Sequence, residues 1–96
     1  MDIYDFIWQS DVIDKIEDKH HVTQYEAEEV FFNERPVYHF IERGERRNQD
    51  VYSVSGRTDA GRYLIVFFIL KRRNVGLILS ARDMTRSERR LYARRR

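Results

Sequence analysis

The sequence predicts an α+β fold with two N-terminal helices, an antiparallel sheet of three to four strands and a C-terminal helix. Three observations carry this. Apolar residues recur at helical spacing as far as Phe32, they switch to a period of two from Val37, and a helix-opening signal returns at Thr85. Ninety-six residues build one hydrophobic core rather than two, so 1–96 is expected to be a single domain. Six Phe, six Tyr and one Trp supply large buried areas for a core of that size.

Residues 3–8 (IYDFIW) alternate partly and read as a short strand at most. Ser10 is placed to cap a first helix over about Asp11 to Lys19, with Val12, Ile13 and Ile16 as its apolar stripe. Thr23 and Glu26 form a capping box that opens a second helix. Ala27, Val30 and Phe31, with Phe32 beside them, are its inner face, and Glu26, Glu28 and Glu29 are expected to point outward. Asn33 in a left-handed conformation, followed by Pro36, is expected to end it. VYHFIE (37–42) and VYSVS (51–55) then read as strands around a charged loop. A tight turn at Thr58 to Gly61 leads into RYLIVFFILK, whose unbroken apolar run implies a central strand covered on both faces. After a turn at Arg72 to Asn74, VGLILSAR returns as the last strand. Thr85 and Glu88 repeat the capping box before the final helix.

The absence of cysteine excludes disulfides, thiolate metal sites and cysteine nucleophiles. The opening MDIYDFIWQ is acidic and lacks the long apolar stretch of a secretory signal. The longest apolar run, Tyr63 to Leu70, is eight residues, against about 20 needed to cross a bilayer. A cytoplasmic protein without a membrane partner is expected. The net charge of +2 hides an uneven distribution: residues 1–56 carry six Lys/Arg against thirteen Asp/Glu, and residues 57–96 carry twelve against three. An acidic and a basic pole follow, the basic one suited to phosphate.

Hairpin geometry brings Arg57, Arg62 and Arg82 to one end of the sheet, near the start of the last helix. Two readings stay open there. Asp59, Asp83 and Glu88 can neutralise these arginines in a network that pins the final helix. Alternatively the guanidinium forks bind the scissile phosphate of RNA and stabilise its developing charge. Lys19, His20 and His21 stand between the two helices, where an imidazole suits general acid or base work or simply caps a carbonyl. Adjacent histidines miss the i, i+4 spacing of a metal pair and His39 falls on a separate strand, so neither metal nor cofactor is expected. Trp8 and Tyr63 have double readings, as core residues or as stacking platforms for RNA bases. Arg89, Arg90 and Arg94 to Arg96 read most simply as a solvated helix end.

Three segments in order, KHHVTQYEAEEVFF (19–32), GRTDAGRYLIVFF (56–68) and LSARDMTRSERRLY (79–92), together with Trp8, resemble the BrnT family. The resemblance implies a RelE-like fold and the toxin of a type II toxin–antitoxin pair that cleaves RNA without a metal. It also implies a BrnA-like ribbon-helix-helix antitoxin, operator DNA bound through that antitoxin, and a toxin–antitoxin heterotetramer. By position, Lys19 and His20 match the family's Lys-His element, Arg57 and Arg62 its Gly-Arg elements, and Arg82 its Ser-Ala-Arg. Glu88, Arg89 and Tyr92 match its final-helix signature. His21 departs from the pattern, since the family usually has Gly there. The expected chemistry is attack of a 2′-hydroxyl on the adjacent phosphate. Lys19 or His20 serves as base, Arg62 and Arg82 stabilise the transition state, and Arg57, Trp8 and Tyr63 hold RNA. The alternatives are a non-catalytic nucleic-acid-binding or regulatory module on the same basic edge, and an interaction protein whose basic pole meets an acidic partner.

Overall fold

The computed structural model describes residues 1–95, and Arg96 of the Arg-rich tail lies outside them. Elements follow in the order β1 (Asp5–Ile7), α1 (Ser10–His20), α2 (Gln24–Phe32), β2 (Val37–Glu42), β3 (Val51–Arg57), β4 (Tyr63–Lys71), β5 (Val75–Asp83) and α3 (Arg86–Arg95), with a tight turn at Arg72–Asn74. The α+β class stands as expected, but the sheet has five strands in the order β1-β5-β4-β3-β2 and is mixed rather than purely antiparallel. The added strand β1 runs parallel to β5. The short strand read within residues 3–8 forms over three of them, and its pairing, which its own pattern does not announce, is made 70 residues away, at Asp5–Val75. Asn74 holds the segment: its carbonyl accepts from the Tyr4 amide at 2.9 Å and its side chain donates to the Asp2 carbonyl at 2.7 Å.

Alternation along the strands sorts side chains onto two faces. Leu64, Val66 and Phe68 of β4 face α1 and α2, joining Val12, Ile16, Ala27, Val30, Phe31, Val54, Ile78 and Ala81 in the main core. Gly56 lets α2 approach β3 closely, because a Cβ there would stand 3.1 Å from both Val30 Cγ1 and the Val30 carbonyl. Ile65 faces the other way, and with Met84 and Tyr92 it forms a second, smaller cluster beneath α3. The central strand β4 is therefore covered on both faces as predicted, but α3 covers only part of its length, and Ile69 is only partly buried.

Both predicted capping boxes are present: Thr23 with Glu26, and Thr85 with Glu88. Three local expectations are corrected. Ser10 is the first helical residue rather than the cap, and the Gln9 carbonyl closes the turn by accepting from Val12 and Ile13. Asn33 stays extended (φ −78°), because its side chain is engaged with the Arg57 carbonyl at 2.8 Å and Asp59 Oδ1 at 2.9 Å. The glutamates of α2 are tethers and not free solvent charges. Glu26 meets Arg62, Glu28 accepts from Trp8 Nε1 at 2.8 Å, and Glu29 accepts from the Asp59 amide at 3.0 Å. Among the described residues, no helix is long and apolar enough to cross a membrane.

Candidate functional site

Strand register places Arg57 opposite Tyr63, and Arg82 opposite Ile65, at the end of the sheet where α3 begins. Arg62, one residue before β4, is at the same end but turns to the opposite face. The three arginines therefore share an end of the sheet and differ in what they touch.

Arg62 ties the helices to the sheet. Nε and Nη2 donate to the two Asp83 oxygens at 2.9 and 3.1 Å, Nη2 also donates to the His20 carbonyl at 2.9 Å, and Nη1 donates to the His21 carbonyl at 2.6 Å. Nη1 reaches Glu26 Oε1 at 3.3 Å as well, so each of its five N–H groups has an acceptor. The Asp83 hydrogen bonds push its already high pKa further up against a smaller opposing effect of burial. These bonds occupy the end of α1, where orphan carbonyls otherwise need partners.

Arg82 clamps the start of α3. Nη1 and Nη2 donate to Glu88 Oε1 and Oε2 at 2.7 and 3.0 Å, a bidentate pair, and Nη1 also donates to the Asp83 carbonyl at 3.1 Å. Arg82 holds the Glu88 carboxyl below the usual carboxylate range, helped by the Thr85 amide and hydroxyl of the capping box and opposed by burial. The Arg82 guanidinium lies 5.5 Å from the centre of the Phe67 ring.

Arg57 is arranged differently. Its guanidinium carbon lies 5.0 Å from the Tyr63 ring centre, and that of Arg89, on the first turns of α3, lies 4.0 Å from the same ring. Tyr92 packs against Tyr63 edge to face at 6.1 Å and anchors α3 through a hydroxyl bond to the Arg35 carbonyl at 3.2 Å. Among the described residues, neither Arg57 nor Arg89 is in an ion pair. Both are exposed. A guanidinium over a ring keeps its N–H edge available, and two positive groups at one ring favour an anion between them. A polar hollow of about 410 Å³, whose charged lining is Glu34, Arg35, Arg57 and Asp59, opens beside the group. Sequence reasoning assigned Arg89 to a solvated helix end. The signal that could have found it is its place one turn after the Thr85 cap, on the helix that returns over Tyr63.

Lys19 is exposed and His20 half-buried on the last turn of α1, on the side of the sheet that Arg62 faces. His21 follows in the left-handed conformation (φ 53°, ψ 40°), the geometry that glycine adopts most cheaply. Trp8 stands apart from the arginines: it packs on the main core and bonds Glu28 on α2. Among the described residues, no group of three or more His, Asp or Glu is placed to hold a metal ion.

Fold and site together define a small α+β protein with an arginine- and tyrosine-built surface at one end of its sheet, chemically suited to a phosphodiester ligand. The chain belongs to the BrnT family, described as ribonuclease toxins of type II toxin–antitoxin systems, whose model matches residues 8–88. The match runs from Trp8 through Arg82 and Glu88 and stops one residue before Arg89. No curated protein matches the chain.

Proposed function

We propose that this chain is a metal-independent endoribonuclease that cleaves RNA by attack of a 2′-hydroxyl on the neighbouring phosphate. A BrnA-like ribbon-helix-helix antitoxin restrains it in the cytoplasm, and operator DNA is bound through that antitoxin in a heterotetramer. The observation that carries the reading is the Arg57–Tyr63–Arg89 group, in which two guanidiniums that are in no ion pair among the described residues approach one aromatic ring, in a family of ribonuclease toxins. Phosphate between the guanidiniums and a base near the ring meet the two needs of single-stranded RNA recognition.

In this reading Arg57 and Arg89 hold the backbone while Tyr63 receives a base. Arg82 faces the same side, and its Nε–H and one Nη2–H have no acceptor among the described residues, so they are open to the phosphate. Lys19 or His20 takes the proton of the 2′-hydroxyl. The 2′-oxygen bonds to phosphorus as the bond from phosphorus to the 5′-oxygen breaks, and that oxygen takes a proton from solvent water as it leaves. The products are a 2′,3′-cyclic phosphate and a 5′-hydroxyl. Arg62, with every donor engaged, is a positioning residue that holds the Lys19–His20 segment against the sheet. Trp8 serves the core.

A non-catalytic nucleic-acid-binding module on the same sheet end is favoured by one observation. Lys19 and His20 sit on the α1 side of the sheet, whereas Arg57, Tyr63 and Arg82 sit on the α3 side. Incubating the purified chain with a single-stranded RNA in excess chelator separates the two. The nuclease reading expects fragments ending in cyclic phosphate and no cut in the same sequence with 2′-deoxyribose. Binding without any fragment would replace it with the binding module.

A further inference from the structure

The face of the sheet that carries Arg57 and Tyr63 is only half covered. Tyr92 seats α3 over Ile65 and Tyr63, and Arg95 reaches His39 of β2 at 3.0 Å, so the helix crosses one end of the sheet. Towards the other end, register lines up four aliphatic side chains across four adjacent strands. Ile7 pairs with Leu77, Leu77 with Ile69, and Ile69 with Val51. None of the four belongs to either core cluster or packs against one; Ile7 is 45% exposed, and Val51, Ile69 and Leu77 are half-buried. Water-facing positions of a mixed sheet normally alternate to polar residues, so this row lacks a cover.

Basic residues border the row. Arg47, Lys71 and Arg72 converge with Ile7, Val75 and Asn48 around a shallow hollow of about 430 Å³. None of the three is in an ion pair among the described residues. Asp50, which lines the adjoining hollow with all three, accepts from the Gly44 amide at 3.0 Å. We propose that this half of the sheet is the docking surface for an acidic, amphipathic segment of the toxin's protein partner. Its apolar side would lie on Ile7, Leu77, Ile69 and Val51, and its carboxylates would meet Arg47, Lys71 and Arg72. The proposal rests on the reading above that a protein antitoxin exists.

The chemistry separates this occupant from RNA. Nucleic acid is held by stacking on rings between cations, which the Tyr63 end offers. Four aliphatic side chains offer no stacking and would strip water from phosphate without return. An apolar centre with a charged rim is the anatomy of a protein interface. The Ile69 row and Tyr63 are six residues apart on β4, about 20 Å at the usual rise, so the two surfaces are separable by substitution.

The test co-expresses the chain with a BrnA-like ribbon-helix-helix antitoxin, the partner proposed above, and measures affinity by calorimetry. The variants are Ile7→Asp, on an exposed edge strand, and the exposed double reversal Arg47→Glu/Arg72→Glu. Both are expected to weaken binding by about tenfold or more while leaving the melting curve and RNA cleavage of the free chain as in the wild type. The double reversal should also flatten the dependence of affinity on salt. Equal affinity of wild type and variants overturns the proposal while the toxin reading stands. Failure of the wild type itself to bind removes both. A wild-type dimer that the variants split, or loss of RNA affinity in the variants, overturns it in favour of a second copy or of RNA.

Discussion

Arg62 and Asp83 meet through two parallel hydrogen bonds, Nε to Oδ1 at 2.9 Å and Nη2 to Oδ2 at 3.1 Å, and this pair joins the helical layer to the sheet. The same guanidinium binds the carbonyls of His20 and His21, so one side chain closes the end of α1 and fixes the junction to α2. Its planar fork makes this possible, since two carbonyls and two carboxylates approach from different directions within one plane.

Replacing Arg62 should therefore act first on stability. Arg62→Ala leaves two carbonyls and Asp83 without their donor, and a loss of about 2–3 kcal/mol is expected in chemical denaturation, moderated by partial solvent access. Arg62→Lys should recover little of it, because an ammonium cannot reproduce the bidentate geometry. A denaturation midpoint equal to wild type in both variants would show that the junction is held by other contacts.

Glu88 makes the start of α3 sensitive to acid. Its carboxyl is held below its ordinary value of 4.5, chiefly by Arg82, so the folded state binds its proton less readily than the unfolded chain. The stabilisation is complete above the unfolded value and is lost as pH falls through the folded one. Melting temperatures of wild type and Glu88→Gln should differ at neutral pH by an amount equivalent to about 1 kcal/mol after solvent screening. The two curves should converge in acid, and a gap independent of pH would mean that the Arg82–Glu88 pair is not its source.

How far the sequence could be read follows from the range of the interactions. The capping boxes at Thr23 and Thr85 span four residues, so their geometry is written locally, and both form. The Arg57, Arg62 and Arg82 placement was legible because tight turns fix antiparallel register. Strand β1 was legible only as a possible short strand because its pairing with β5 is distant and supported by Asn74 rather than by its own pattern. Asn33 kept its expected role as a helix terminator but not its expected backbone, since the bonds to Arg57 and Asp59 come from the end of β3 and the turn after it, 24 or more residues away. Arg89 was missed for the same reason: its significance lies in a ring on β4 that no helical periodicity can register.

His21 offers a separate test of the α1–α2 turn. A non-glycine residue at φ 53° carries a steric cost that glycine lacks, and the exposed imidazole makes no side-chain hydrogen bond among the described residues. His21→Gly should stabilise the chain by about 0.5–1 kcal/mol in urea denaturation. If RNA cleavage persists in this variant and falls in His20→Ala, the proton-carrying imidazole is His20. Loss of cleavage in His21→Gly would instead place that role on the residue that departs from the family pattern.

The last prediction sets the arginines at Tyr63 against those bound by carboxylates. Arg57 and Arg89 are exposed and in no ion pair among the described residues, so Arg57→Ala and Arg89→Ala should leave the melting temperature close to wild type. Each removes one phosphate contact, which should lower RNA affinity at moderate salt and reduce the slope of log affinity against log salt by about 0.7 per site for single strands. Tyr63→Leu keeps an apolar strand residue but removes the ring, and should cost about 1–3 kcal/mol of RNA binding with little change in that slope. Fluorescence titrations of a short RNA over a series of salt concentrations measure both quantities. Unchanged slopes in the two arginine variants would move the phosphate contact away from Tyr63 and onto Arg82, whose Nε–H and one Nη2–H have no acceptor among the described residues.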